Sequence, residues 1–356
     1  MNHIRHWLVL SLAAGFVILP WACSKSFEVS PMSPAPAATA TSTVNPAFTA
    51  TDTPTMTQSP TPGFTPTSTP TFTDMDFDSG VTVLPAGAYQ FGCVHIGGGA
   101  TVTIQGAVTV YCTCFTLDAG ATLTGVGMGY GPKSYINPYA DPGPGGGSDG
   151  GYGQSCGALC TGGGHGGVGG TYSVSATLYG SLVTCAATSG GRTNDDPIHP
   201  AFMGSAGGWP NGGNGQFCFG MCGAPTSYGG GLLWIVVYDP NARQLRPATI
   251  NGVVDMSGAQ GGPAGPHAEY SGCGAGGGLL VESSLLSGTG SLNANGGGYQ
   301  SRGNPPTLGL DNGGGGGGII SLISDTSAFS GTTSVLNGPN AQPGIVSVTA
   351  PPSSGY

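Results

Sequence analysis

Glycine supplies 70 of the 356 residues, and 68 of them lie from residue 75 onward. That density excludes most folds. Glycine costs about 1 kcal/mol at each helical position relative to Ala, so this part of the chain cannot be built from helices. A coiled coil also needs charged flanks, and only 6% of the chain is charged. The glycines keep no strict period of three, which excludes collagen. Val, Ile, Leu and aromatic residues cluster in short runs and the chain is 38% hydrophobic, so disorder throughout is excluded as well. Short strands with glycine-rich connections remain.

An internal repeat gives those strands a spacing. Tyr89–Gly106 (YQFGCVHIGGGATVTIQG) aligns with Val110–Gly127 (VYCTCFTLDAGATLTGVG) at an offset of 21 residues. Cys93 falls on Cys114, Ile96 on Leu117, and Thr101, Val102 and Thr103 on Thr122, Leu123 and Thr124. Apolar and polar residues alternate within each run, the pattern of a half-buried strand. Further on, GGGLLWIVV, GGGLLVESS and GGGIISLIS begin at Gly229, Gly276 and Gly316. Each is followed by a second short element such as Ala248–Gly258 or Leu286–Gly296. The middle of the chain is less regular, with a strand pair expected around Tyr172–Ala187.

This grammar resembles a class of bacterial surface proteins whose repeats run from a Gly-rich loop through a GGGGGI-type strand to a GTISANGG-type element. The resemblance covers most of residues 80–350 and implies an all-β fold. The expected fold is a right-handed parallel β-helix, or solenoid, with long Gly-rich loops, preceded by a disordered stalk. The class shares no catalytic motif that maps onto this chain. Two readings of the glycine are open. In the favoured one, glycines turn corners and line mobile loops. In the other, runs such as Gly143–Gln154 and Asp311–Gly318 pack side by side in a polyglycine layer, as the Gly-rich loops of phage tail adhesins do.

The N-terminus reads as an export signal. Arg5 precedes a twelve-residue apolar stretch, Leu8–Leu19, which is too short to span a bilayer and right for a signal core. Pro20-Trp21-Ala22-Cys23 resembles a bacterial lipobox, with Pro20 where that family carries Leu. The resemblance implies lipidation of Cys23, and Ser24 resembles an outer-membrane sorting signal. Residues 31–73 then hold 14 Thr and 9 Pro in 43 positions. Such a segment cannot bury enough apolar surface to fold and stays an extended spacer, similar to the Thr/Pro stalks of surface lipoproteins. The expected organisation is a signal over 1–22, a stalk over 23–74 and a β domain over 75–356. Within the last, 75–127 carries regular coils, 128–228 Gly-rich loops and 229–356 repeat coils.

Ten cysteines suit an oxidising compartment. Equivalent positions one strand apart lie within disulfide reach, which makes Cys93 and Cys114 a candidate pair, with Cys112 as a competitor. Cys156/Cys160 and Cys218/Cys222 are expected as disulfides that pin loops; a four-thiolate zinc site is the alternative. Lipidation of Cys23 leaves an odd number of thiols.

Catalytic chemistry is thin. Asp195, Asp196 and His199 form the nearest acid or cation cluster, although Asn-Asp-Asp-Pro is also turn chemistry. His165 and His267 stand alone in Gly-rich segments. Trp209, Tyr130, Tyr152 and Tyr228 lie in or beside such segments, as stacking faces for sugars or as packing for the loops. Seven Lys and Arg against sixteen acids exclude a nucleic-acid binder, which must neutralise phosphates. No cofactor is expected. The partners expected are a membrane, through the lipid, and a glycan or surface polymer. The leading expectation is an exported, lipid-anchored, non-enzymatic protein of the bacterial surface with an adhesive, glycan-binding or structural role. A polysaccharide-active lyase or hydrolase is one alternative, and a self-assembling surface protein is another.

Overall fold

The computed structural model describes residues 72–132, 141–147, 160–178, 181–208, 227–261, 271–298 and 313–351, with the backbone alone over 172–178 and 181–188. All of them belong to the second of two compact units, Pro66–Tyr356. The signal, Cys23 and all but the last three residues of the stalk lie outside the described residues.

The strands begin with β1 (Met75–Phe77), β2 (Gly80–Leu84), β3 (Gly87–Gln90) and β4 (Cys93–Ile96). Next come β5 (Ala100–Ile104), β6 (Ala107–Cys112), β7 (Cys114–Leu117) and β8 (Thr122–Thr124). An antiparallel pair, β9 (Tyr172–Leu178) and β10 (Ser181–Thr188), follows where a strand pair is expected. The last part holds β11 (Leu232–Asp239), β12 (Gln244–Leu245), β13 (Ala248–Ile250), β14 (Val253–Asp255) and β15 (Gly278–Gly288). It closes with β16 (Ser291–Asn293), β17 (Ile319–Phe329), β18 (Thr332–Ser334) and β19 (Ile345–Thr349).

Apart from β9–β10 and the short β11–β12 ribbon, every pairing is parallel. One sheet has six strands in the order β18-β16-β14-β8-β5-β2, and the other has eleven. The repeat seen in the sequence becomes register: Cys93 pairs with Cys114, Ile96 with Leu117, Val102 with Leu123. Apolar side chains pointing inward stack in columns. Val110, Ile235, Val281 and Leu322 form one, Val102, Leu123, Val254 and Leu292 another, all buried. Each such side chain contributes about 1.5–3 kcal/mol by leaving water. The outward neighbours are polar or half-buried, which is why the runs alternate.

The expected right-handed parallel β-helix is corrected here, while all-β with parallel strands stands. The larger sheet is one curled surface, a half-barrel, and not a file of like coils with separate faces. Its order runs β1-β4-β7-β13-β15-β11-β6-β3. The join is β15, whose first half pairs with β11 and whose second half pairs with β13. No corner residue interrupts β15 or β17. The bend is absorbed by register shifts between Glu282 and Ser287. The 21-residue interval holds only for the first strands, and long segments separate β8 from its partner β14.

The second correction concerns the glycine. The favoured reading, corners and mobile loops, fails for the described runs at 161–170, 204–208, 227–231, 271–277 and 313–318. Apart from a bend at 165–167, these are irregular segments without turns, nearly all buried, and bonded to one another. Their hydrogen bonds have a period of three. Gly272 and Ala275 donate to Gly208 and Ser205; Cys273 and Gly276 donate to Gly313 and Gly316; Gly274 and Gly277 donate to Ala259 and Met256. Gly313–Gly318 repeats the pattern toward Cys160/Gly163, Pro339/Gln342 and Gly297/Ala294. Three residues per turn is polyproline II geometry; here the backbone groups are satisfied by neighbouring segments in place of water. At the glycine positions of these runs a side chain does not fit: a Cβ on Gly276 would lie 2.1 Å from the Ala294 oxygen. The runs lead directly into β11, β15 and β17, so layer and sheet are continuous.

Candidate functional site

A hollow lies where β3, β6 and β11 end. Register puts Gln90 beside Tyr111, and Cys112 beside Val237, one residue before Tyr238. The rings of Phe72, Phe91, Tyr111 and Tyr238 line a cavity of about 240 Å³. Gln90 and Thr113 supply an amide and a hydroxyl, and Pro240 completes the wall. The Tyr89 ring stacks on Phe91 at 6.0 Å and 10°, and the Tyr89 hydroxyl donates to the Pro85 carbonyl at 2.8 Å, which fixes the Phe91 side of the cavity. Cys112 also borders it, but burial pushes that thiol up to about 12, so it is no nucleophile. No charged residue lines the hollow. Its walls can stack on a ring and its amide and hydroxyl can bond to one, but it offers no acid–base pair.

The volume falls below the 300–1,000 Å³ usual for drug-sized ligands. It suits one ring-sized group, not an extended chain.

A second cluster lies on the outer face of the curled sheet. His95 sits between Asp76 and Asp118, with Nε2–Asp118 Oδ2 at 2.9 Å and Nδ1–Asp76 Oδ1 at 3.3 Å. Register explains it, since Asp76 pairs with His95 across β1–β4 and Asp118 follows β7. The hydrogen bond to Asp118 raises the His95 pKa above its ordinary value against a smaller desolvation effect, with Asp118 and Asp76 charges adding to it. Asp76, Asp78 and His95 have ligand atoms within 4.8 Å of one another. Both ring nitrogens already face carboxylates, so the imidazole ties β1 to the turn after β7, and a metal ion there would have to displace one of those contacts.

The cluster expected at Asp195, Asp196 and His199 does not converge. Asp195 turns inward to His165, with Nε2–Oδ2 at 2.9 Å and the two side chains 0% and 2% exposed. The other ring nitrogen, Nδ1, lies 3.0 Å from the Gly276 carbonyl. A carbonyl only accepts, so Nδ1 carries a proton. Burial alone would raise the Asp195 pKa; bonds from His165, Ala201, Phe202 and Asp196 outweigh it and hold it below the ordinary range. The pair fastens the 195–202 segment to the glycine layer. Trp234 Nε1 and Ser321 Oγ donate to the Pro200 and Ile198 carbonyls and hold the same segment over β11 and β17. Asp196 is exposed and accepts from the Ile198 amide in a local turn. His199 is exposed on the other side, where its charge lowers the Glu282 pKa against a larger upward push from burial.

The remaining candidates divide. Cys93 and Cys114 form a disulfide, with a Cα–Cα distance of 4.6 Å; Cys112, the competitor, points into the core. Cys160 is buried, while Cys156, Cys218 and Cys222 lie outside the described residues, as do Trp209 and Tyr152. Tyr130 packs against Gly143 and Ser205, and its phenol is pushed up by burial and then by Asp141 and Asp195. Tyr228 lies over Gly131. Tyr130 is half-buried and Tyr228 is 36% exposed, and neither lines the hollow.

Comparison with protein-family models, with curated proteins and with solved structures finds no match to this chain.

Proposed function

We propose that this is an exported, lipid-anchored protein of the bacterial surface whose β domain binds one ring of a neutral glycan, in an adhesive and non-enzymatic role. The aromatic hollow of Phe72, Phe91, Tyr111 and Tyr238 carries this reading. Aromatic walls match the apolar face of a sugar ring, and an uncharged lining suits an uncharged sugar. The signal at 1–22, Cys23 and the Thr/Pro stalk support surface display: the stalk carries the domain away from the membrane.

The test is a glycan array probed with the full chain, followed by titration of the best ligand. Saturable binding is expected. Tyr238→Ala and Tyr111→Ala each weaken it about tenfold, the effect of losing roughly one stacking contact. Tyr228→Ala leaves it unchanged. Binding that survives both hollow substitutions, or no binding by folded protein, removes the hollow from the account.

A further inference from the structure

Among the described residues, both sheets stop at both ends. At the N-terminal end, β1, β2 and β3 each have one paired edge and, among the described residues, one open edge. At the C-terminal end the same is true of β18, of β19 and of the second half of β17, from Asp325 to Phe329. The inward columns also end uncovered. Val346 and Val348 pair with Ile320 and Leu322, so they point to the core side, yet they are 39% and 55% exposed. Met75, Phe77, Leu84 and Tyr89 are only partly buried against the core at the opposite end.

Open parallel edges are ordinarily blunted by charge, proline or a covering segment, since they invite another strand. Here the two ends match. Followed from strand to strand, β18 lies in the column of β2, β19 in that of β3, and the second half of β17 in that of β1. All are parallel, so one end offers the edges that the other lacks. We infer that the C-terminal edges of one copy pair with the N-terminal edges of a second copy of this chain, continuing both sheets from molecule to molecule.

The columns fix the register. Thr333 of one copy lies beside Thr82 of the next, Val346 and Val348 lie beside Gly87 and Tyr89, and Phe329 meets Phe77. Tyr89 then covers the two exposed valines. Asp76 falls beside Ala328, whereas Asp325, opposite Leu285, falls level with Asp74, so this junction carries one pair of like charges and should tighten with salt. Because two different surfaces join, the contact is head-to-tail and does not close on itself; it builds rows. This inference does not depend on glycan binding, and no cysteine takes part in it.

The test is sedimentation of the full chain across a wide concentration range, without and with reductant. The weight-average mass is expected to rise severalfold with concentration in both. Val348→Lys blocks the C-terminal end and Thr82→Lys the N-terminal end, and each alone stays monomeric. Their equimolar mixture forms dimers and nothing longer, because each supplies the end the other lacks. A folded wild type that stays monomeric overturns the proposal. So does either variant dimerising alone, since that requires a self-complementary contact. If either Lys variant unfolds, Thr82→Cys mixed with Thr333→Cys replaces them. An oxidant-induced dimer linked through those two positions is expected, and its absence is a refutation.

Discussion

Gly276→Ala tests the glycine layer directly. The added methyl carbon would sit 2.1 Å from the Ala294 oxygen and 2.5 Å from the Gly318 amide nitrogen. Both are backbone atoms, so relief requires one extended segment to move about an ångström away from another, to ordinary contact distance. Three hydrogen bonds cross that contact: Gly276 N–H to Gly316 O, Gly277 N–H to Met256 O, and Gly318 N–H to Ala294 O. At about 1 kcal/mol each their loss costs about 3 kcal/mol. Overpacking strain adds about 1–3 kcal/mol, and the stiffer unfolded chain returns about 0.4–1 kcal/mol. The expected loss is about 3–6 kcal/mol. With a urea slope of about 3 kcal/mol/M, the upper end for small proteins, the midpoint falls by about 1–2 M. Gly298→Ala is the control, because a Cβ there meets nothing within 4 Å. Its midpoint should stay or rise slightly. Equal midpoints for the two variants would mean that the runs yield freely and that no layer exists.

Four further outcomes follow from the charged groups and the disulfide. His165→Ala leaves the buried Asp195 without its partner and should cost about 3–5 kcal/mol in urea unfolding. The Asp195 pKa is depressed on folding, so its contribution is present above the unfolded value of about 3.9 and is lost as pH falls through the folded one; the gap between wild type and Asp195→Asn should close in acid. The His95 pKa is raised, so its small, solvent-screened contribution is present below about 6.5 and is lost as pH rises through the folded value. An NMR titration should show its pKa falling in Asp118→Asn. Reducing Cys93–Cys114, which closes a 21-residue interval, should cost about 3 kcal/mol by freeing the unfolded chain, read as a midpoint shift with reductant.

The first strands and the disulfide were legible because parallel pairing turns a sequence offset into register: Cys93 over Cys114 is written in the alignment of the two repeats. The curl of the larger sheet was not, since β15 and β17 take their bend in register shifts that leave no glycine or proline as a mark. The glycine layer was legible only as an alternative. Glycine has no side chain, so a corner and a buried extended segment look alike until their hydrogen-bond partners are known. In the sequence His165 stands alone and Asp195 groups with Asp196 and His199, since the segments that bring His165 and Asp195 together contain no periodic apolar pattern. The His95 clamp left a usable signal, because the repeat places Asp118 just past the strand that neighbours His95. The hollow left none, since Phe72 and Tyr238 meet only through strand ends distant in sequence.

The threefold bonding of the glycine segments bears on how the protein endures digestion. A protease draws its substrate into its cleft as an extended strand and bonds to that strand's free amides and carbonyls. Gly272–Gly277 has its amides engaged on three sides by other segments, so there is no edge for an enzyme to grip. It also presents almost no side chain for a specificity pocket to recognise. Nicking should begin at exposed turns, such as Asn241–Arg243 between β11 and β12, and leave the glycine layer with its attached strands as the resistant remnant.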